Sequence, residues 1–227
     1  MFADSKYSKF LTVLLVIVII AIIGLLGFLG FDLYQKYFIE KDAKDFLENY
    51  ENEIGTTIKN LTEEENVVEA ENPFNEMNMT TNTTTSTTNT SSKKPQYKGF
   101  DVSGRIQIPA IDLDYPILSQ AGKKEIEVAV GIQYGPGPNL PGNTIIAGHN
   151  YRNGLFFSNN KKLKIGDTIY ITDNSGTKVK YTIYNKYETT PEDTDYWLRD
   201  TAGAREISLT TCTDDSKGRL IIWAKAE

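Results

Sequence analysis

The chain has 227 residues, of which 40% are hydrophobic and 11% aromatic, enough for one packed domain with additional segments, and this excludes a collagen-like or a wholly disordered chain. The net charge of −6 comes from the segment 32–97, which carries −7, whereas 98–227 is neutral and has no basic stripe, so we expect no nucleic-acid partner. A single Cys and a single His also exclude an intramolecular disulfide and a zinc site built from Cys and His alone.

The residues 10–31 near the N-terminus are apolar and uncharged. A helix of this length is about 33 Å long, which is enough to cross a hydrocarbon core of about 30 Å. The run is longer than the apolar region of a cleaved signal peptide and lacks its small-residue cleavage pattern, so we predict an uncleaved transmembrane signal anchor, with a cleaved signal peptide as the alternative. Lys6 and Lys9 favour a cytoplasmic N-terminus, residues 1–9, with the bulk of the chain outside.

The segment 32–97 follows the anchor. Apolar residues at roughly helical spacing over 32–58 indicate a juxtamembrane helix, and the alternative is a solvated charged stalk that contacts nothing. Every residue of 80–92 is Thr, Asn or Ser. Such a tract cannot bury enough apolar surface to offset the entropy lost on ordering, so we predict a flexible linker there.

From residue 98 onwards, short runs of Val, Ile, Tyr and Thr alternate with clusters of Gly, Pro, Asn and Asp, a pattern typical of many short strands. The predicted strands are 104–108, 113–118, 144–147, 168–172, 179–187, 206–211 and 220–224. A helix is expected at 124–131, another turn near 155–159 and a hairpin turn at 173–176. Seven or eight strands in about 130 residues indicate an all-β domain, either a closed barrel or a sandwich, because both protect the sheet edges.

Cys212, His149 and Arg219 each stand at the end of a predicted strand, where functional side chains are commonly mounted on a rigid scaffold. The loop 213–218 is short enough to make its two strands antiparallel neighbours, so Cys212 and Arg219 should face each other. A thiolate that attacks a carbonyl, an imidazolium that protonates the leaving amine and a guanidinium that stabilises the oxyanion would together perform acyl transfer. Each residue taken alone has an ordinary structural role as its alternative, and Asn150 is the adjacent candidate for orienting His149.

These residues lie in segments that resemble a known family. The run SLTTC at 208–212, followed by Arg219, resembles the TLxTC and Arg signature of the sortases, the membrane-anchored cysteine transpeptidases of mainly Gram-positive bacteria. The run IIAGH at 145–149 resembles their catalytic-His segment, and 104–117 resembles the opening strands of their barrel. Ser208 stands where the signature has Thr, a change that keeps the hydroxyl.

The resemblance covers about residues 100–227 and implies a closed seven- to eight-stranded sortase-type β-barrel over 98–227, with one or two short helices. The transmembrane helix and linker would precede this catalytic domain. The domain would lie on the extracellular face of the plasma membrane, anchored by the single span 10–31.

The resemblance also implies a reaction. Cys212 would attack the Thr–Gly bond of an LPxTG-like sorting signal on a surface protein and form a thioacyl enzyme, with His149 and Arg219 as the other catalytic residues. An amine of a peptidoglycan precursor or a pilin would resolve it. The implied substrate-binding residues are Thr211, Ser208, Pro191 and Trp197. The segment 187–205 matches the substrate-sorting loop of the family, and its Tyr196 and Leu198 are further candidate pocket walls, with a hydrophobic mini-core as the alternative.

Some family members bind calcium. The acidic residues that would be candidates here are Asp112, Asp114, Glu188, Glu192 and Asp193. No EF-hand-like spacing supports such a site, so we expect neither a metal nor another cofactor.

The subclass pattern is mixed. The N-terminal anchor, the lack of a second span and the absence of a lid motif argue against the pilus-polymerising class. The triplet GHN at 148–150 and the WAK at 223–225 resemble class B, whereas the short loop before the Cys strand resembles classes A and D. We interpret the chain as class A/D-like with some class B-like features.

Two other functions compete with this interpretation. A catalytically silent β-barrel displayed on a stalk would bind a wall component or a partner protein, and its function would survive the loss of Cys212. A hydrolase would form the same thioacyl enzyme but would resolve it with water. Dependence on an amine acceptor separates the hydrolase from the transpeptidase.

Overall fold

The computed structural model describes residues 6–65 and 94–227, so the predicted linker at 80–92 lies outside the described residues. The helix α1 spans Lys6–Glu65, and the strands are β1 (Gln96–Tyr97), β2 (Phe100–Ile108), β3 (Leu113–Leu118), β4 (Val130–Tyr134), β5 (Gly142–Ala147), β6 (Thr168–Asp173), β7 (Lys178–Thr189), β8 (Arg205–Cys212) and β9 (Arg219–Ala226). Short 3-10 helices occupy Pro109–Ile111, Asn160–Lys162 and Asp195–Leu198. The chain divides into two compact units, Met1–Asp42 and Ala43–Glu227.

The first unit is the apolar part of α1. The candidate span Lys9–Gly55 contains a stretch of mean hydropathy 3.2, of which 0% is buried. Its length and composition are sufficient to cross a membrane, as the run 10–31 predicts. The direction in which it would cross remains a prediction.

The second unit begins with the remainder of α1, whose face is buried. Ala43, Leu47 and Tyr50 recur at the spacing of one helix face and are at most 1% exposed. The Tyr50 hydroxyl donates a hydrogen bond to Asn174 Oδ1 over 2.6 Å. The solvated stalk, which would contact nothing, is therefore wrong for this part of the helix.

The rest of the second unit is a closed β-barrel. Its strand order is β2-β3-β4-β5-β8-β9-β7-β6, and β2 pairs again with β6, while β1 pairs with the first two residues of β2. Closure removes the exposed edges that an open sheet would present. The predicted all-β fold is confirmed, and the pairing of β2 with β6 decides for the barrel over the sandwich.

The interior of the barrel is filled by inward-facing aliphatic side chains. Those with no exposed surface include Ile106, Ile117, Ile146, Ile171, Leu209 and Ile222. They come from alternate positions of strands around the barrel, as the period of two requires. The strand ends around this core are therefore mounted on a rigid base.

The predicted helix at 124–131 is wrong. Residues 124–129 form turns, with Ala129 N–H donating to Glu125 O over 3.2 Å, and the chain then enters β4. Val130 pairs with Ile117 in a parallel ladder. This pairing with β3 stabilises the β-branched end of the segment as a strand. The two-residue β1 was not predicted either.

The predicted hairpin turn at 173–176 is confirmed between β6 and β7. The Asp173 carboxylate accepts hydrogen bonds from the N–H groups of Ser175 and Thr177, over 2.9 and 3.1 Å. Gly176 has a φ of +80°, a conformation that a glycine adopts without strain. The predicted turn at 155–159 is present as well, closed by Ser158 N–H donating to Leu155 O.

Candidate active site

The candidate site is built where β5 and β8 end side by side. The two strands are parallel, with Ala147 opposite Thr210, so both chains leave the barrel at the same edge. The N–H of Gly148 donates to Thr210 O over 3.2 Å, and the Thr211 hydroxyl donates to Gly148 O over 2.7 Å. These bonds bring the segment that carries His149 next to the segment that carries the thiol.

The third candidate residue arrives from β9. This strand is antiparallel to β8, and Arg219 is the direct partner of Cys212 in the ladder, as the short loop predicts. The loop 213–218 is closed at its base by Thr213 N–H donating to Gly218 O over 3.1 Å. The guanidinium therefore begins next to the thiol.

A cavity of about 290 Å³ opens at this edge of the barrel. It is lined by six of the residues predicted from the sequence: Cys212, His149, Arg219, Thr211, Pro191 and Trp197. The residues of the acyl-transfer hypothesis therefore share one cavity, together with three of the four predicted substrate-binding residues.

Ser208, the remaining predicted substrate-binding residue, is not brought to this cavity. Its side chain has no exposed surface, and its hydroxyl donates to Asn143 Oδ1 over 2.9 Å. Alternation along β8 places it on the side opposite the core-facing Leu209, beneath the loop that follows β7. The structure gives it a supporting position.

His149 is half-buried at the cavity edge, and its ring packs against Tyr151 with the centroids 4.8 Å apart. Burial lowers the pKa of this imidazole, because leaving water disfavours the charged form, while the negative charge of Glu127 opposes the shift. Cys212 is a half-buried free thiol. The lowered pKa favours the neutral His149 ring near neutral pH, and this is the form of the ring that can accept a proton.

Asn150 does not orient His149 as the sequence suggested. Its amide nitrogen donates instead to Cys212 O over 3.0 Å and to Asp214 Oδ1 over 2.9 Å. Asp214 also pairs with Lys161 at 2.6 Å. Asn150 thus ties the chain after the histidine to the loop after the cysteine.

Part of the cavity wall comes from the loop between β7 and β8, residues 190–204. Tyr196 is 4% exposed and packs with Ile145 and Ile221, and it also lines the cavity. Trp197 stacks on Tyr134 with the centroids 5.5 Å apart. The same loop therefore forms both the pocket wall and the hydrophobic mini-core that the sequence offered as alternatives.

The cavity lining differs from the sequence prediction in two ways. Leu198 is 78% exposed, so it forms no part of the wall. Ala121, Ile126 and Gln133 do line the cavity but were not predicted. They lie in and beside the segment assigned as a helix, and no motif marks them.

No metal site stands out among the residues that the structure describes. None of their His, Cys, Asp and Glu side chains forms a group of three that could hold an ion. Asp114, one of the calcium candidates, forms an ion pair with Arg105 at 2.5 Å. Asp193 accepts a hydrogen bond from the Thr189 hydroxyl.

Comparison with known proteins adds the family context. A family model described as the sortase domain matches residues 106–227. Sortase A of Bacillus anthracis is 35% identical over 121 residues, which are 51% of this chain and 56% of that protein. Sortase A of Streptococcus agalactiae serotype III (strain NEM316) is 31% identical over 136 residues, which are 56% of this chain and 53% of that protein. The chain thus spans about half the length of the curated relatives that it matches.

A solved structure matches over the same region. The Clostridium perfringens sortase D5 transpeptidase superimposes with a TM-score of 0.52 at 31% sequence identity. The superposition covers 56% of this chain and 79% of that chain.

Proposed function

The chain belongs to the sortase family, and we propose that it is a cysteine transpeptidase that cleaves an LPxTG-like sorting signal between Thr and Gly. The observation that carries this proposal is that Cys212, His149 and Arg219 line one cavity. A nucleophile, a proton carrier and a cation are the groups that acyl transfer requires. A barrel that only binds a partner would not need these three groups in one place.

In the acylation step, the Sγ atom of Cys212 attacks the carbonyl carbon of the signal's Thr. The thiol proton passes to the neutral imidazole of His149, which delivers it to the nitrogen of the departing Gly. A C–S bond forms and a C–N bond breaks, leaving a thioester on the enzyme and a free amine on the released peptide. The lowered pKa of His149 supports this role, since the neutral ring is the form that accepts the proton.

Negative charge develops on the Thr carbonyl oxygen during this attack, and we assign its stabilisation to Arg219. Its backbone is paired with that of Cys212, and its Nη1 donates to Gly218 O over 3.2 Å, which fixes the side chain at the start of β9. A positioned donor at such an oxygen typically contributes about 10²–10³-fold in rate. Arg219→Lys should retain some activity, because the charge remains but the forked donor geometry is lost.

In the second step, an amine of a peptidoglycan precursor or a pilin attacks the thioester. A new amide bond forms, the C–S bond breaks, and the proton lost by the amine returns through His149 to the thiolate of Cys212. Water in place of the amine would make the same intermediate end in hydrolysis. Dependence of the product on amine separates the two outcomes.

Thr211, Pro191 and Trp197 are the residues that we assign to substrate contact, because all three line the cavity. The Thr211 hydroxyl already donates a hydrogen bond to Gly148 O, so this residue also holds the His149 segment in place. Ser208 is not assigned to direct contact, since it is buried behind the wall.

We further propose that the substrates are LPxTG-type surface proteins and that the enzyme is a single-pass protein of the plasma membrane. The apolar helix supports an anchor, and the lysines before it favour an N-terminus inside and a catalytic domain outside. Within the family, we assign the chain as class A/D-like with some class B-like features.

The test uses the full chain in detergent micelles, incubated with a panel of LPxTG-like peptides with and without an amine acceptor. We expect cleavage between Thr and Gly and a ligated product that appears only with the amine, both lost in Cys212→Ala and His149→Ala. Cleavage of the peptide without a ligated product, whether or not the amine is present, would indicate a hydrolase. No cleavage of any peptide, together with a Cys212 alkylation rate no faster than in the unfolded chain, would indicate the silent barrel.

A further inference from the structure

A buried charge lies directly behind the cavity wall, on a residue that the reaction does not use. Arg199 follows the 3-10 helix Asp195–Leu198 and is 13% exposed at its side chain, and its partner Glu206 is 9% exposed. The Arg199 Nη1 donates to Glu206 Oε2 over 2.6 Å and to the Tyr184 hydroxyl over 2.7 Å. Because burying two charges is costly and often adds little net stability, such a pair calls for another explanation.

A second set of hydrogen bonds joins this guanidinium to the loop backbone. The Arg199 Nη2 donates to Asn143 Oδ1 over 3.2 Å, and the amide nitrogen of Asn143 donates to Tyr196 O over 2.8 Å. Ser208 donates to the same Asn143 oxygen. One β5 side chain therefore holds the loop at two points three residues apart.

The face of the guanidinium is covered as well. Its central carbon lies 4.1 Å from the centroid of the Trp223 ring, a cation–π contact. Arg199 is thus held by side chains from β5 (Asn143), β7 (Tyr184), β8 (Glu206) and β9 (Trp223). A loop residue fixed to four strands of a closed barrel has little freedom to move.

This attachment bears on the cavity through the residues just before it. Tyr196 and Trp197 line the cavity, two and three positions ahead of Arg199 in the chain. The hydroxyls of Tyr196 and Thr210 also share a hydrogen bond at 3.3 Å, which links the wall to the strand that carries Cys212. The wall therefore keeps a fixed distance from the thiol only while the loop stays attached.

We propose that Arg199 is a positioning residue for substrate binding, because its buried pair with Glu206 fixes the wall of Tyr196 and Trp197 before a peptide enters. A wall that is already ordered removes the entropy loss that ordering a loop would add to binding. This inference rests on the proposed peptide-transfer function. It locates the control of substrate affinity in a pair that does not line the cavity.

The test compares Arg199→Met with Arg199→Lys and with a matched control, Arg205→Met, in the full chain. Arg205→Met removes the Arg at the first position of β8, directly after the same loop and outside the network around Arg199. For an LPxTG-like peptide, we expect Arg199→Met to raise KM about tenfold or more with kcat within about threefold, because the wall and not the thiol is disturbed. Arg199→Lys should restore part of the affinity, since its charge still pairs with Glu206.

Two further readouts separate positioning from a general loss of structure. Cys212 is the only cysteine of the chain, so alkylation by iodoacetamide reports the reactivity of this one thiol. We expect that rate to be unchanged in Arg199→Met, while amide hydrogen exchange speeds up in 190–204 and not in β2 or β3. An unchanged KM, or alkylation that falls together with peptide affinity, would overturn the proposal.

Failure of the proposed function has a different signature. If the wild-type chain turns over no peptide, the transpeptidase assignment fails, and the exchange measurement still decides the loop attachment. Faster exchange in 190–204 for Arg199→Met, absent in Arg205→Met, would then support the anchoring role. Equal exchange in both variants would refute it.

Discussion

The chemistry of the site depends at the residue scale on the protonation of one imidazole. His149 is the only histidine of the chain, and its pKa is lowered by burial and raised by Glu127, with burial the larger effect. As the pH falls through that pKa, the ring gains a proton and can no longer accept one from the thiol. Acylation should therefore decline on the acid side with the same midpoint.

A single histidine makes this directly measurable. In Cys212→Ala, where no thiol titrates nearby, NMR of the His149 ring should give a midpoint below about 6.5, the ordinary histidine value. Glu127→Gln should lower this midpoint further, because the negative charge that raises the His149 pKa is removed. Glu125→Gln serves as the control and should have a smaller effect. A midpoint above the ordinary value in Cys212→Ala would show that burial does not dominate.

The same scale shows what sequence can and cannot supply. Cys212 and Arg219 could be assigned because a short loop fixes their pairing, and the structure places them opposite each other. The roles of Asn150 and Ser208 could not, since their partners lie 62 and 65 positions away in the chain. Contacts of that kind depend on how strands are ordered in the barrel, which no local pattern encodes.

At the scale of elements, the parallel pairing of β5 with β8 brings the histidine and cysteine segments together, and Gly148 is packed tightly into that junction. A Cβ added there would lie 2.8 Å from Val130 Cγ1 and 2.9 Å from Phe157 Cδ2. Both neighbours belong to the core, so they cannot move aside cheaply.

Gly148→Ala should therefore displace the chain that carries His149. We expect a loss of about 1–3 kcal/mol in unfolding free energy and a drop in peptide turnover, measured by urea denaturation and by steady-state kinetics. Gly122→Ala is the matched control, because its Cβ would meet only the flexible end of Glu125. Equal stability and turnover in both variants would contradict the tight packing of this junction.

The buried face of α1 after Ala43 makes a second prediction at this scale. Leu47 is 1% exposed, so Leu47→Ala should remove about 2–5 kcal/mol from the unfolding free energy of the second unit. Glu48→Ala changes the exposed neighbour on the same helix and should alter stability little. If Leu47→Ala also left the denaturation midpoint unchanged, the helix would be the solvated stalk that the sequence left open.

The elements predicted from sequence were those with a strong local pattern. Seven strands and the turn at 173–176 follow from alternation and turn residues, and all are present. The helix at 124–131 failed because its helix-forming start and its β-branched end favour different structures, and the parallel ladder with β3 decides between them. Ile126 in this segment and Gln133 in β4 line the cavity, so one wrong element hid part of the site.

At the scale of the whole molecule, charge and hydropathy divide the chain into parts with different tasks. The apolar helix is long enough to cross a membrane. The net negative charge lies in 32–97, and the barrel segment 98–227 is neutral overall. These parts could be recognised from composition alone. The active centre, by contrast, requires β5, β8 and β9 to pair before its residues meet.

If Cys212 carries the acyl group during the reaction, intact mass spectrometry of the full chain will detect the acylated protein. With an LPxTG-like peptide and no amine, the wild-type chain should gain the mass of the peptide up to its Thr, and peptide mapping should place the adduct on Cys212. The adduct should disappear on addition of amine, and Cys212→Ala should not form it. Peptide cleavage by Cys212→Ala at the wild-type rate, or an adduct on another residue, would contradict the account.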